Sequence, residues 1–194
     1  MNSPSSNPAA NRQRLFVAVP LPEAIKKAIG TWSNEIRDTQ PFRKWTHEAD
    51  LHITLQFLGD TEPSQLPELI DALASAARSG ETQPFRLTLQ DVGVFGMPKQ
   101  PRVLWIGLHG ELDLLSRLHQ ATVSATAPLG FSIEARPYSP HLTIARSYTG
   151  SEPFVAPQHS FSDKPLEWDV NAIVLYRTHM HERPMYEEVA RFPL

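Results

Sequence analysis

Two short stretches of this 194-residue chain carry the same reactive pair, His52-Ile53-Thr54-Leu55 and His141-Leu142-Thr143-Ile144. Each sets an imidazole and a hydroxyl two residues apart inside an apolar run. Imidazole is the side chain whose ordinary pKa, about 6.5, lets it give or take a proton near neutrality. Two imidazoles on opposite sides of a phosphate ester serve both halves of an in-line displacement: one takes the proton of attacking water, the other protonates the departing oxygen. The threonine hydroxyls suit the non-bridging oxygens, where transition-state charge gathers. Arg146 lies five residues past His141, an odd offset that needs a strand end or twist to reach the same surface. There a guanidinium grips phosphate through two parallel hydrogen bonds; otherwise it is a solvated strand-end charge.

For these groups to meet, each motif must be a β-strand. Side chains at i and i+2 of a strand share a face, so each His stands beside its Thr while the aliphatic residues point the other way. The pattern predicts strands at 14–20, 51–58, 85–95, 102–108, 141–146, 169–177 and 185–191. Apolar residues at three- and four-residue spacing predict helices at 24–37, 62–79 (stopped by Gly80) and 112–125. Residues 41–45 read as a loop, Pro137 to Pro140 as a rigid approach and 150–165 as a Pro/Ser-rich loop. Interspersed elements with short turns between the late strands point to an α+β fold. The motif histidines are 89 positions apart (52 and 141), close to half the chain, which reads as a degenerate duplication about a pseudo-two-fold axis.

Composition narrows the function class. A formal net charge of −3 argues against a protein that coats nucleic acid through many phosphate contacts, but allows one local basic pocket. With no cysteine, disulfides, thiolate nucleophiles and Cys-ligated zinc are excluded. No apolar run reaches the roughly 18 residues that span a bilayer. The start has no apolar signal-peptide core. The expectation is a soluble, cytoplasmic, monomeric enzyme with a disordered tail over 1–13 and one bilobal domain over 14–194. No cofactor or metal is called for, and the chain offers no carboxylate-rich cage.

The remaining candidates read more plainly. His47, His109, His119 and His159 are expected at the surface. His179 and His181 flank Met180 like a metal pair, but in a turn without a third ligand nearby. Phe57 is placed in the core by its spacing, with stacking on a base as the other role. Trp105 and Trp168 are expected in the core, while Arg43, Lys44 and Trp45 can line the cleft rim.

The motifs H-I-T-L-Q-F-L-G at 52–59 and H-L-T-I-A-R at 141–146 resemble the paired signatures of the 2H phosphoesterases. The likeness is greatest to the bacterial and archaeal RNA 2′,3′-cyclic phosphodiesterases, also called 2′-5′ RNA ligases. It runs from R-L-F-V-A-V-P-L to Y-E-E-V-A-R-F-P-L. It implies a bilobal α+β fold of duplicated, pseudo-two-fold antiparallel sheets flanked by helices (LigT-like), with both motifs facing one cleft. It further implies metal-independent hydrolysis of 2′,3′-cyclic phosphates on RNA 3′ ends or nucleotides, leaving a 2′-phosphate, with 2′-5′ ligation as the reverse reaction. By the match, His52 is the general acid and His141 the general base, with roles exchanged in ligation. Thr54, Thr143 and Arg146 hold the phosphate, and Phe57 approaches the terminal base. A 2H-type hydrolase of a small cyclic nucleotide or other cyclic phosphate uses the same residues. A non-catalytic RNA-end binding module would keep the Arg and aromatic contacts but gain little from two imidazoles.

Overall fold

The computed structural model describes residues 12–79, 83–157, 161–162 and 164–194. Among them run β1 (Gln13–Pro20), α1 (Glu23–Arg37), β2 (Phe42–Trp45), β3 (His52–Thr61), α2 (Leu66–Ala77), β4 (Phe85–Met97), β5 (Gln100–Gly110), α3 (Leu112–Thr126), β6 (Leu142–Tyr148), β7 (Leu166–Val170), β8 (Ala172–Thr178) and β9 (Tyr186–Pro193). The strands form one antiparallel sheet ordered β7-β4-β5-β6-β3-β1-β8-β9, with β2 paired to β6.

That order is a palindrome of structure. The unit β1-α1-β3 puts two antiparallel strands side by side across a helical connection, and β5-α3-β6 repeats it. The two halves meet between β3 and β6, where Ile53 pairs with Leu142. Both are fully buried. Their pairing carries the same 89-residue offset as the histidines, so the pseudo-two-fold axis passes between the motifs. Behind this seam β1 turns Leu15, Val17 and Val19 toward the helices, where they join Ile25, Ile29 and Trp32 of α1, Leu69 and Leu73 of α2 and Leu115 and Leu118 of α3 in one core. On the opposite face Phe16, Ala18, Val174 and Tyr176 form a smaller cluster.

Several elements depart from the sequence reading. The first strand starts at Gln13, inside the expected tail; residues 1–11, Gly80 and His159 lie outside the described residues. Residues 42–45, expected as loop, form β2 because β6 offers them a pairing edge. The helix expected over 62–79 opens as a 3-10 turn, Pro63–Gln65, under a capping box between Glu62 and Gln65, before α2 proper. The strand expected at 169–177 is two strands broken at Asn171: β7 pairs with β4 at one end of the sheet, and β8 pairs with β1 and β9 toward the other. One residue between such distant strands requires a strongly curled sheet. Apolar content alone does not mark the break, since both strands bury apolar side chains.

Truncating the seam tests this account. Ile53→Ala and Leu142→Ala are each expected to cost about 2–5 kcal/mol in denaturant unfolding, the range for deleting a large buried aliphatic side chain.

Candidate active site

The two motifs are presented by the same local device. Along β3, His52 is half-buried, Ile53 buried, Thr54 half-buried, Leu55 and Gln56 both buried, and Phe57 exposed; along the second motif, His141 to Arg146 repeat that pattern residue for residue. The two consecutive buried positions mark a β-bulge, where two residues oppose one on the partner strand. On β3 the register passes from Thr54 opposite Ala18 to Gln56 opposite Val17, skipping Leu55. On β6 it passes from Thr143 opposite Trp105 to Ala145 opposite Leu104, skipping Ile144. The extra residue turns the odd offset of five into cleft-facing geometry. It delivers Arg146 to the histidine face, and by the same step Phe57. Gln56, the one polar residue in these buried pairs, accepts a 2.8 Å bond from the Thr126 hydroxyl.

Both imidazoles are held alike. His52 Nδ1 lies 2.7 Å from the carbonyl oxygen of Asp50, and His141 Nδ1 lies 2.8 Å from that of Ser139. A carbonyl only accepts, so in each neutral ring the proton sits on Nδ1 and Nε2 keeps its lone pair. Thr54 Oγ1 donates to His52 Nε2 at 3.1 Å. Register continued one step from Ile53–Leu142 sets His52 against Thr143 and Thr54 against His141.

Electrostatics favour neutral rings. Desolvation chiefly lowers His52, to about 4, against the hydrogen bond to Asp50, with Arg146, Lys26 and His141 lowering it further. His141 is lowered by burial first, and also by Arg146. One guanidinium thus acts on both rings, as a cation at the cleft must. Its field opposes imidazolium at both positions.

The walls differ on the two sides. His52 packs 4.7 Å from Phe16 and, edge-on, 5.2 Å from Tyr186. Phe57, expected in the core, is 57% exposed and approaches Phe16 at 6.1 Å. It lines a cavity of about 390 Å³ with Arg14, Phe16, Met180, Met185 and Tyr186. His141 meets Phe95 edge-on at 4.8 Å and Trp105 at 6.5 Å. Trp105, also expected in the core, is half-buried on the cleft face, its indole lying against Gly93, where an added Cβ would fall 2.2 Å from the ring. Trp168 is core as expected.

Four other histidines have structural partners. His47 Nδ1 accepts from Ala49 N–H and caps the Glu48–Asp50 turn. His119 stacks on Tyr138 at 3.9 Å, and the Tyr138 hydroxyl donates to the Thr54 carbonyl. His109 sits beside Asp91. His179 contacts Glu187 at 2.7 Å, and among the described residues no group of three His, Asp or Glu is arranged to hold a metal. Of the rim candidates, Lys44 is exposed in register with Arg146, whereas Trp45 packs against Phe42 and beneath Arg37. The sequence reading missed Asp50, Tyr186 and Phe95, whose local sequence carries no motif.

The chain resembles known proteins in sequence and in fold. The RNA 2',3'-cyclic phosphodiesterase of Geobacillus stearothermophilus is 41% identical over 184 residues, 94% of this chain but 58% of that relative's length. The protein of the same name from Bacillus subtilis (strain 168) is 35% identical over 187 residues, covering 94% of this chain and 97% of the relative. Among solved structures, E. coli LigT complexed with 3'-AMP superposes with a TM-score of 0.76 at 27% identity, covering 95% of this chain and 99% of that one. The TT0787 protein of Thermus thermophilus does so with a TM-score of 0.73 at 29% identity, over 93% and 97%. No helix among the described residues is long and apolar enough to cross a membrane. With a family model matching residues 21–182, this duplicated, two-histidine chain belongs to the 2'-5' RNA ligase superfamily.

Proposed function

We propose that this chain hydrolyses the 2′,3′-cyclic phosphate of RNA 3′ ends or nucleotides to a 2′-phosphomonoester, with 2′-5′ ligation as the reverse. The observation that carries this reading is the matched pair of imidazoles, each tied at Nδ1 to a backbone carbonyl and both under the field of Arg146. The names of the relatives point to the same substrate class.

The asymmetric walls support an assignment of roles. The exposed Phe57 and its cavity lie on the His52 side, so the base and ribose belong there. The departing O3′ stays on that ribose, and His52 Nε2–H protonates it as the P–O3′ bond breaks. In the same in-line step water attacks from the other side, its oxygen bonding phosphorus as O3′ departs and its proton passing to His141 Nε2. Thr54, Thr143 and Arg146 hold the non-bridging oxygens. A bound phosphate offsets the Arg146 charge and raises His52, supplying the protonated acid. Proton and charge move through side chains alone, in a monomer working in the cytoplasm. The aromatic wall favours a nucleotide over a base-free cyclic phosphate.

His52→Ala and His141→Ala are each expected to lower kcat for a 2′,3′-cyclic-phosphate oligonucleotide by about 10²-fold or more while leaving the fold intact by circular dichroism. Activity at the level of the parent protein in either variant would overturn the scheme, as would its loss in excess EDTA. Phe57→Ala is expected to raise KM for nucleotide substrates more than for a base-free cyclic phosphate.

NMR titration of the free protein should find His52 neutral down to about pH 4 and shifted upward when inorganic phosphate is added. Because the folded value lies below the unfolded value near 6.5, the stability gained from a neutral His52 is complete above that pH. It is lost as pH falls toward 4, so acid unfolding should be less steep over that window in His52→Ala.

A further inference from the structure

We propose that Asp50 is a positioning residue for His52, coupling the general acid to the chain's C-terminal hairpin. The inference rests on the proposed reaction but concerns a group that no motif marks. Asp50 ends the Glu48–Asp50 turn two residues before His52, and the residue is 5% exposed. Its carboxylate accepts the Met185 N–H at 3.0 and 3.1 Å and the Tyr186 N–H at 3.1 Å, from 135 residues away and beyond. Its backbone carbonyl, in turn, accepts His52 Nδ1–H at 2.7 Å.

One residue thus joins two anchors. Rotating the carbonyl of Asp50 away from His52 requires moving the peptide whose side chain is locked onto the entry to β9. The neighbouring peptide is pinned as well: Lys26 Nζ donates to the Ala49 carbonyl at 3.1 Å, and Ala49 N–H donates to His47. The Tyr186 amide held by Asp50 also belongs to the residue whose ring packs edge-on against His52 at 5.2 Å. The tether therefore sets the tautomer of His52 from one side and its ring plane from the other.

The second motif lacks this tether. His141 is held by the carbonyl of Ser139, an exposed residue without a carboxylate. Two otherwise matched imidazoles therefore differ in how firmly their Nδ1 acceptor is fixed. Met185, which lines the Phe57 cavity, hangs on the same carboxylate, so the wall beside the substrate and the acid form one mechanical unit.

The test compares Asp50→Asn and Asp50→Ala with the parent protein, reading ¹⁵N chemical shifts of the imidazoles together with kcat and KM on a nucleoside 2′,3′-cyclic phosphate. In Asp50→Asn, which keeps size and one acceptor oxygen, the His52 nitrogen shifts should move toward those of a tautomer mixture while those of His141 stay in place. A fall in kcat of about ten- to a hundredfold, with KM within about threefold, should accompany it, as for a misplaced catalytic group. An unchanged His52 signature in a folded variant overturns the proposal. Equal shifts in both histidines, or failure of both variants to fold, also overturns it, because the carboxylate would then be only structural. If the parent protein hydrolyses no cyclic phosphate, the proposed reaction falls, while the nitrogen shifts still decide the role of Asp50.

Discussion

The contact on which the site depends is the antiparallel seam where Ile53 of β3 faces Leu142 of β6, both fully buried. It contains no catalytic atom. Because a strand alternates its faces, sinking these two side chains into the core forces His52, Thr54, His141 and Thr143 onto the opposite surface. A slip of one residue would exchange the faces and bury all four polar groups, at a cost that hydrophobic burial would not offset. Ordinary core packing thus does most of the aiming, and the duplication ensures that it aims twice at one place.

The matching bulges at Leu55 and Ile144 are the second device. Each skips one residue and so brings the fifth position after its histidine to the cleft. Chemistry then diverges on a common frame. One lobe presents the guanidinium of Arg146, the other the exposed ring of Phe57. Equivalent positions of a nearly symmetric scaffold thus carry a cation on one side and a flat apolar surface on the other.

The electrostatics of the cleft suit an anion. Burial first, and the nearby guanidinium after it, hold the two imidazoles neutral, with His52 lowered to about 4. In the proposed reaction a phosphate compensates Arg146, so binding and activation of the acid become one event. On that proposal the charges of the site are arranged for the charge distribution of the reacting ester, which is differential stabilisation.

Much of this is legible in the linear order of residues. Repeated His-x-Thr pairs in apolar runs mark the strands and the face they share, and their separation marks the duplication. Helical spacing locates the three α-helices of the described residues to within a few residues, although the second opens as a 3-10 turn. What stays hidden depends on partners distant in the chain. The register alone reveals the bulges, so spacing by itself leaves Arg146 between two roles and puts Phe57 in the core. The break at Asn171 follows from the two ends of a curled sheet competing for adjacent segments. Asp50 shows its importance only when the amides of Met185 and Tyr186 fold back onto it. By itself the sequence determined which candidate groups stand together and which face they occupy, since alternation along a strand is a local property. The tertiary structure decided which of them meet, in what tautomer and under whose charge, because those follow from pairing and burial between segments that chain connectivity leaves far apart.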